Sequence, residues 1–147
     1  MKQVLPAILL ALLPAVACGP GEEAGEAPLT EIRWYASVEE ARAEAETGGN
    51  LVLMSFEAPW DPWSQLLHDS LYSDPAVIET LLAFKCTRVD VDVDTLARAE
   101  FGVNLYPTIV ITDAYGSELG RIIGYQELWT LKAVLDEDHT REEERAA

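Results

Sequence analysis

Segments typical of strands and of helices alternate along most of this chain, and their order restricts its fold more than any other feature. From residue 37 the order is helix, strand, helix, helix, strand, helix, strand, strand, helix. Strands separated by helices require parallel crossover connections, and the closing strand pair adds an antiparallel edge. The sequence therefore predicts one α/β domain with a central mixed β-sheet and helices on both of its faces.

Local signals place the ends of these elements. Ser37, followed by Glu40, has the pattern of a capping box at a helix start, and Gly48-Gly49 is a typical helix end. The apolar run LVLMSF at 51–56 is typical of a strand covered on both faces. The later segments are a helix from Pro62 with Trp63, Leu66, Leu67 and Leu71 on one side, a helix after Asp74-Pro75, a strand at 86–92, a short helix at 95–102, a hairpin at 108–125, and an amphipathic helix at 126–135 with Leu128, Leu131, Val134 and Leu135 at helical spacing.

The first eighteen residues, MKQVLPAILLALLPAVAC, have the pattern of an export signal. Lys2 supplies a positive start, and the apolar stretch 4–16 is too short to span a bilayer comfortably. Small residues stand directly before Cys18, a pattern that resembles a bacterial lipoprotein signal, in which the peptide is cut before the cysteine and the cysteine is lipidated. The alternatives are an ordinary secretory signal cut nearby and an uncleaved anchor.

This interpretation divides the chain into four parts. Residues 1–17 are the signal peptide, 18–29 the lipidated cysteine and a disordered spacer rich in Gly, Pro, Ala and Glu, 30–138 the domain, and 139–147 a charged tail. Gly19, where an Asp would favour retention in the inner membrane, favours the outer membrane. We expect a periplasm-facing domain attached to the cell envelope through its lipid alone.

Charge and cysteine content restrict partners and chemistry. Without residues 1–17 the chain has nine basic and 26 acidic side chains, a net charge of −17. Such an acidic chain is repelled by nucleic acid and by anionic lipid headgroups, so no nucleic-acid partner is expected. If Cys18 carries lipid, Cys86 is the only thiol left, and no intramolecular disulfide can form.

From about Ile32 to Leu135 the chain resembles the exported branch of the thioredoxin family, which has a leading helix. The segment APWDPWSQLLHDSLYSDPAVIETL at 58–81 is similar to that family's active-site helix, usually Trp-Cys-x-x-Cys followed by a stretch ending in Phe-Ser-Asp-Pro. The segment 88–125 is similar to its second half, where a Gly-Val pair precedes a cis-proline, Thr and a hairpin. The resemblance implies a thioredoxin fold with an N-terminal leading helix.

The same resemblance implies that the redox activity of the family is absent. Trp60 matches the tryptophan before the cysteine pair, and in Asp61-Pro62-Trp63-Ser64 the carboxylate and the hydroxyl occupy the two cysteine positions. Ser55 stands where many thioredoxins keep a buried carboxylate to shuttle protons. Neither a carboxylate nor a hydroxyl can attack a disulfide and resolve the mixed disulfide. Asp61 is therefore interpreted as a helix N-cap, with Pro62 at the position after it.

What remains of the family's site is the surface that holds extended peptides. By resemblance this surface comprises Trp60, Trp63, and the backbone of Tyr106 beside a cis-Pro107, where a passing strand can pair. The two tryptophans could instead belong to the core. The first hypothesis is a non-catalytic module that binds an envelope protein or an extended peptide, or acts as a chaperone. The alternatives are an enzyme of single-thiol redox chemistry through Cys86 with a partner thiol, and a structural component of a larger envelope assembly.

Other constellations are weaker. Ser64, His68 and Asp61 resemble a hydrolase triad only in composition, because one helix fixes their separation and offers no oxyanion hole. Asp61, His68 and Asp69 are a poor candidate for a metal site, because Zn²⁺ usually requires His or Cys ligands in closer convergence. DVDVD at 90–94 resembles the start of a calcium loop, but Thr95 and Phe101 stand where glycine and glutamate are needed. We expect no metal, no cofactor, and a strand end followed by a helix cap at 90–94. Cys86 is expected to be a buried small hydrophobe, with a reactive sensor thiol as the alternative.

Overall fold

The computed structural model describes residues 31–126 and 128–147, so the predicted signal peptide, Cys18 and the spacer lie outside the described residues. The elements are β1 (Trp34–Tyr35), α1 (Val38–Gly48), β2 (Leu51–Glu57), α2 (Pro62–Leu66), a π-helical turn (Leu67–Leu71), α3 (Pro75–Leu81), β3 (Phe84–Asp90), α4 (Thr95–Glu100), β4 (Thr108–Thr112), β5 (Glu118–Ile123) and α5 (Leu128–Ala146).

The strands form one mixed sheet in the order β1-β3-β2-β4-β5. β3 pairs in parallel with both β1 and β2, whereas β4 is antiparallel to both β2 and β5. Helical segments return the chain to the sheet between its parallel strands, as parallel pairing requires. The mixed sheet with its antiparallel edge is as the sequence predicted.

The alternation along β2 builds a core on each face of the sheet. Leu51 and Leu53 belong to a cluster that includes residues of α3 and α5, whereas Val52, Met54 and Phe56 belong to a cluster with α1 and α4. Successive side chains of a strand point to opposite faces, so a continuous apolar run supplies both clusters at once. The prediction of a strand covered on both faces is confirmed.

The helix starts follow their capping residues. Ser37 Oγ accepts the Glu40 N–H (3.2 Å), Asp74 accepts the Ala76 N–H (2.8 Å), and Asp94 accepts the Ala97 N–H (2.9 Å). Each bond satisfies a backbone donor that has no partner within its own helix.

Several element bounds differ from the predicted ones. β1 was not predicted, since a two-residue strand carries no periodicity, and β3 begins at Phe84 rather than at residue 86. α5 continues to Ala146, so the charged tail predicted at 139–147 belongs largely to a helix. In the described part of the chain, no helix is both long and apolar enough to cross a bilayer.

The helix that begins at Pro62 changes from α-helical to π-helical hydrogen bonding after Leu66. Its buried residues therefore differ from those on the predicted apolar side. The Tyr72 N–H bonds to the Leu67 carbonyl oxygen (3.2 Å), five residues back, in the π-helical turn. Leu67 and Leu71 are buried, whereas Trp63 and Leu66 are exposed. The sequence placed all four on one side of a single helix. In the structure the two exposed residues lie in α2 and the two buried ones in the π-helical turn that follows it, so the residues do not share one face.

Candidate functional site

Two polar side chains, hydrogen-bonded to each other, cap the start of α2. Asp61 Oδ2 accepts the Ser64 N–H (2.8 Å) and the Ser64 hydroxyl (2.9 Å). Ser64 Oγ in turn accepts the Ala58 N–H (3.2 Å), and only 2% of Ser64 is exposed. Asp61 is the N-cap and Pro62 follows it at the first helical position, as the sequence predicted.

One tryptophan precedes this turn and another lies within it, and both are mostly exposed to solvent. Trp60 is 64% exposed and Trp63 is 56% exposed, so neither belongs to the core. The Trp60 indole N–H donates to Asp92 Oδ2 (2.8 Å), and its ring meets the Tyr106 ring edge-on at 6.1 Å between centroids. Trp63 lies against Tyr125 with centroids 5.8 Å apart. Polar and aromatic neighbours thus hold both indoles while leaving much of each one open.

The loop before β4 lies beside Trp60. The peptide bond between Tyr106 and Pro107 is cis. Within residues 31–126 and 128–147, the Tyr106 main-chain N–H and C=O make no hydrogen bond, and Leu105 is 62% exposed. The contact between Trp60 and Tyr106 brings together two of the residues predicted from sequence to form one surface.

A buried polar chain lies behind α2, and sequence reasoning missed it. Tyr72 Oη donates to Ser55 Oγ (2.6 Å), which donates to Glu57 Oε1 (2.8 Å). Arg88 donates to Glu57 Oε2 through Nη2 (2.7 Å) and Nε (3.2 Å). Burial, followed by the nearby Glu57 charge, raises the pKa of Tyr72 well above its usual value.

This chain of hydrogen bonds corrects the inference that Ser55 marks the loss of a buried carboxylate. The serine was interpreted as the loss of a buried carboxylate, yet Glu57, only 7% exposed, supplies one from the same strand. The signal was available: residues two apart on a strand share a face, so Ser55 and Glu57 had to lie together. The Glu57 carboxylate forms an ion pair with Arg88, and only 10% of the Glu57 side chain is exposed.

Cys86 lies in the core. It is fully buried in β3, in the cluster that includes Leu53, and its Sγ lies 3.8 Å from the Leu81 carbonyl oxygen. Burial raises the pKa of the Cys86 thiol to about 12. The expectation of a cysteine packed as a small hydrophobe is confirmed, because Cys86 is fully buried among apolar side chains.

The residues considered for a hydrolase triad, a zinc site and a calcium loop make other hydrogen bonds in the structure. His68 Nδ1 lies 3.0 Å from Asp69 Oδ1, whereas Ser64 is bonded to Asp61. At 90–94, Asp90 Oδ1 accepts the Asp92 N–H and Asp94 caps α4. Among the residues that the structure describes, no three His, Cys, Asp or Glu side chains are grouped so as to hold a metal ion.

A mixed five-stranded sheet, with a cis-proline loop beside the start of an interrupted helix, defines a protein of the thioredoxin fold. A family model for the thioredoxin-like domain matches residues 38–138, well over half of the chain. The chain therefore belongs to the thioredoxin-like domain family. No curated protein matches it significantly in sequence.

Solved structures agree with this assignment. A thioredoxin from Thermus thermophilus is 27% identical with a TM-score of 0.67, over 73% of this chain and 86% of that one. A DsbH oxidoreductase is 16% identical with a TM-score of 0.66, over 82% of this chain and 95% of that one. A mutant thioredoxin from Halobacterium salinarum is 24% identical with a TM-score of 0.56, over 78% of this chain and 96% of that one. The latter two likenesses show the fold alone.

Proposed function

We propose that this chain is a thioredoxin-like domain without dithiol redox activity, which binds extended segments of other proteins at the bacterial cell envelope. Its place in the envelope rests on residues 1–18, where the lipoprotein-like pattern ends at Cys18. The most informative observation for the binding role is that Trp60, just before the turn, and Trp63, within it, are both more than half exposed where no thiol is present.

The chemistry of the turn supports the loss of redox activity. Disulfide exchange needs a thiolate to attack and a second thiol to resolve the mixed disulfide. Asp61 and Ser64, which match the cysteine positions, are instead bonded to each other and to the helix backbone. Their arrangement stabilises the helix start and leaves the Ser64 hydroxyl buried, so neither group is positioned to react with a partner protein.

The surface around the turn supports binding. Large aromatic side chains contribute most to protein interfaces when they are already held in position, because little side-chain entropy is then lost on binding. Trp60 is held by Asp92 and Tyr106, and Trp63 lies against Tyr125. Tyr106 has a main-chain donor and acceptor that are unpaired within the described residues, and an extended segment can pair with them.

Single-thiol chemistry through Cys86 is the second candidate from the sequence, and its burial weighs against it. A partner protein would have to reach a side chain with no exposed surface, and the thiol would have to ionise from a pKa of about 12. Reaction at Cys86 would therefore require the core to open first.

Site-specific crosslinking tests the proposed binding surface. A photoreactive amino acid replaces Trp63 in the full chain in its native membranes, and the captured proteins are identified. The matched control places the same group at Tyr115, which is 79% exposed in the turn between β4 and β5, at the other end of β4 from Pro107. We expect one defined partner from position 63 and none from position 115.

Three substitutions complete this test. Trp60→Ala removes an exposed aromatic anchor, and Tyr106→Ala removes the ring that holds this anchor in position. Each is expected to lower capture of that partner at least about tenfold, the loss found at interface hot spots. Tyr115→Ala is expected to leave capture unchanged. Circular dichroism checks that each variant is folded. Equal capture by all three variants would contradict the proposal, and so would insulin reduction by the purified chain that disappears in Cys86→Ala.

A further inference from the structure

A cavity of about 420 Å³ opens beside the turn and has no part in the function proposed so far. It lies where the parallel strands β2 and β3 end, and their last residues, Glu57 and Asp90, are paired in register. The ends of β2 and β3 form two of its walls, and α2 with the π-helical turn forms the third. The residues on this third wall are Ser64, Gln65, His68 and Asp69. Crevices at the carboxyl ends of parallel strands are the usual ligand sites of α/β sheets, and π-helical turns are frequent at functional sites.

The charges of this cavity favour a cation. Glu57, Asp69, Asp90 and Arg88 line it, a net charge of −2 with His68 neutral. Arg88 is neutralised by Glu57, to which it donates two hydrogen bonds. Among the described residues, Asp69 pairs with the neighbouring His68, and Asp90 accepts a backbone N–H through its side chain. Within that part of the chain, two carboxylates on different elements therefore line the cavity without a lysine or arginine partner.

The cavity and the proposed binding surface are connected through the chain. Pro59 lines it, and the next residue is Trp60, whose indole N–H is anchored to Asp92 just beyond the end of β3. A segment that packs on Trp60 can thus place one side chain in the cavity, and a positive charge on that side chain would complement the acidic walls. Carboxylates form charge-assisted hydrogen bonds with guanidinium and ammonium groups, which are stronger than hydrogen bonds between neutral groups.

We propose that this cavity binds the basic side chain, arginine or lysine, of the protein segment that docks against Trp60. The proposal names the chemistry of the partner and, for the source of the cation, rests on the proposed function. The cavity specifies one residue of the segment, whereas the aromatic surface accepts its extended backbone and apolar side chains.

A pair of charged and uncharged probes of nearly equal shape tests the cavity directly. N-acetyl-arginine amide and N-acetyl-citrulline amide are titrated into the ¹⁵N-labelled full chain in detergent, and shifts of the Ala58 and Ser64 amides are followed. We expect the arginine probe to bind about five- to tenfold more tightly, the discrimination expected of partly exposed charges.

Two double variants of equal charge change separate the cavity from general electrostatics. Asp69→Asn with Asp90→Asn is expected to reduce the preference for arginine to less than about twofold. Glu44→Gln with Glu46→Gln, at exposed positions of α1, is expected to preserve it. Equal binding of arginine and citrulline probes, or equal loss in both double variants, would overturn the cation site.

The outcomes also distinguish this proposal from the proposed function. Loss of partner capture in Trp60→Ala without any arginine preference would leave the docking surface in place and overturn the cavity's role. For a partner crosslinked at position 63, weaker binding after its arginine or lysine is replaced by glutamine would support the proposal. Spermidine binding more tightly than an arginine-containing partner segment would overturn the assignment to a protein side chain.

Discussion

Replacing Asp61 with alanine tests whether this carboxylate holds the helix start. Loss of a helix N-cap costs about 1 kcal/mol. The substitution also removes the acceptor of the Ser64 hydroxyl, which is buried and left with only the Ala58 N–H, and an unsatisfied buried donor adds about 1 kcal/mol. Together we expect Asp61→Ala to lower the free energy of unfolding by about 2 kcal/mol, which corresponds to roughly 8 °C in Tm for a domain of this size.

Matched variants divide this loss into its two parts. Asp61→Asn keeps an oxygen acceptor at the N-cap and is expected to cost less than about 0.5 kcal/mol. In a Ser64→Ala background only the cap remains to be lost, so Asp61→Ala is expected to cost about 1 kcal/mol there. Urea titrations followed by far-UV circular dichroism give these values. A fully stable Asp61→Ala chain, or the same loss in both backgrounds, would refute the reasoning.

Three further predictions concern the buried groups. Arg88→Met leaves the buried Glu57 carboxylate without its cation and is expected to lower the free energy of unfolding by about 3 kcal/mol. Glu57→Gln is expected to lower it by only about 1 kcal/mol, because Arg88 is partly exposed to water. Urea titrations of both variants measure this difference. A thiol reagent at pH 8 is expected to label Cys86 only in urea, and rapid labelling of the native chain would contradict its burial. Because the folded-state pKa of Cys86 is raised from about 9 to about 12, its contribution to stability is complete below pH 9 and is lost as the pH rises towards 12. Cys86→Ala is expected to show a shallower loss of stability over that range in alkaline titrations of Tm.

The fold was predictable because its main signals are local and repeated. A continuous apolar run indicated β2, and Asp-Pro pairs indicated the starts of α2 and α3. Two features were not accessible in this way. A two-residue β1 is defined only by its pairing with β3, and the π-helical turn at 67–71 depends on packing rather than on a period in the sequence.

The site was predictable in its parts and not in its connections. The N-cap role of Asp61 follows from residue type and position, whereas the sequence left open whether Trp60 and Trp63 are exposed or in the core. The pairing of Glu57 with Arg88 joins two strands, so it depends on the register between them, which no local pattern reveals. The cavity at those strand ends was missed for the same reason.

The two borders of the sheet differ in a way that matters when many copies of the chain are crowded together. β1 has only two residues and offers almost no backbone to a neighbour. β5 is longer, but its register with β4 shifts between Ile111 and Thr112, and the ion pair of Glu118 and Arg121 lies along it. Short, irregular and charged outer strands are poor templates for cross-β growth, so this domain is built to resist self-association into fibrils.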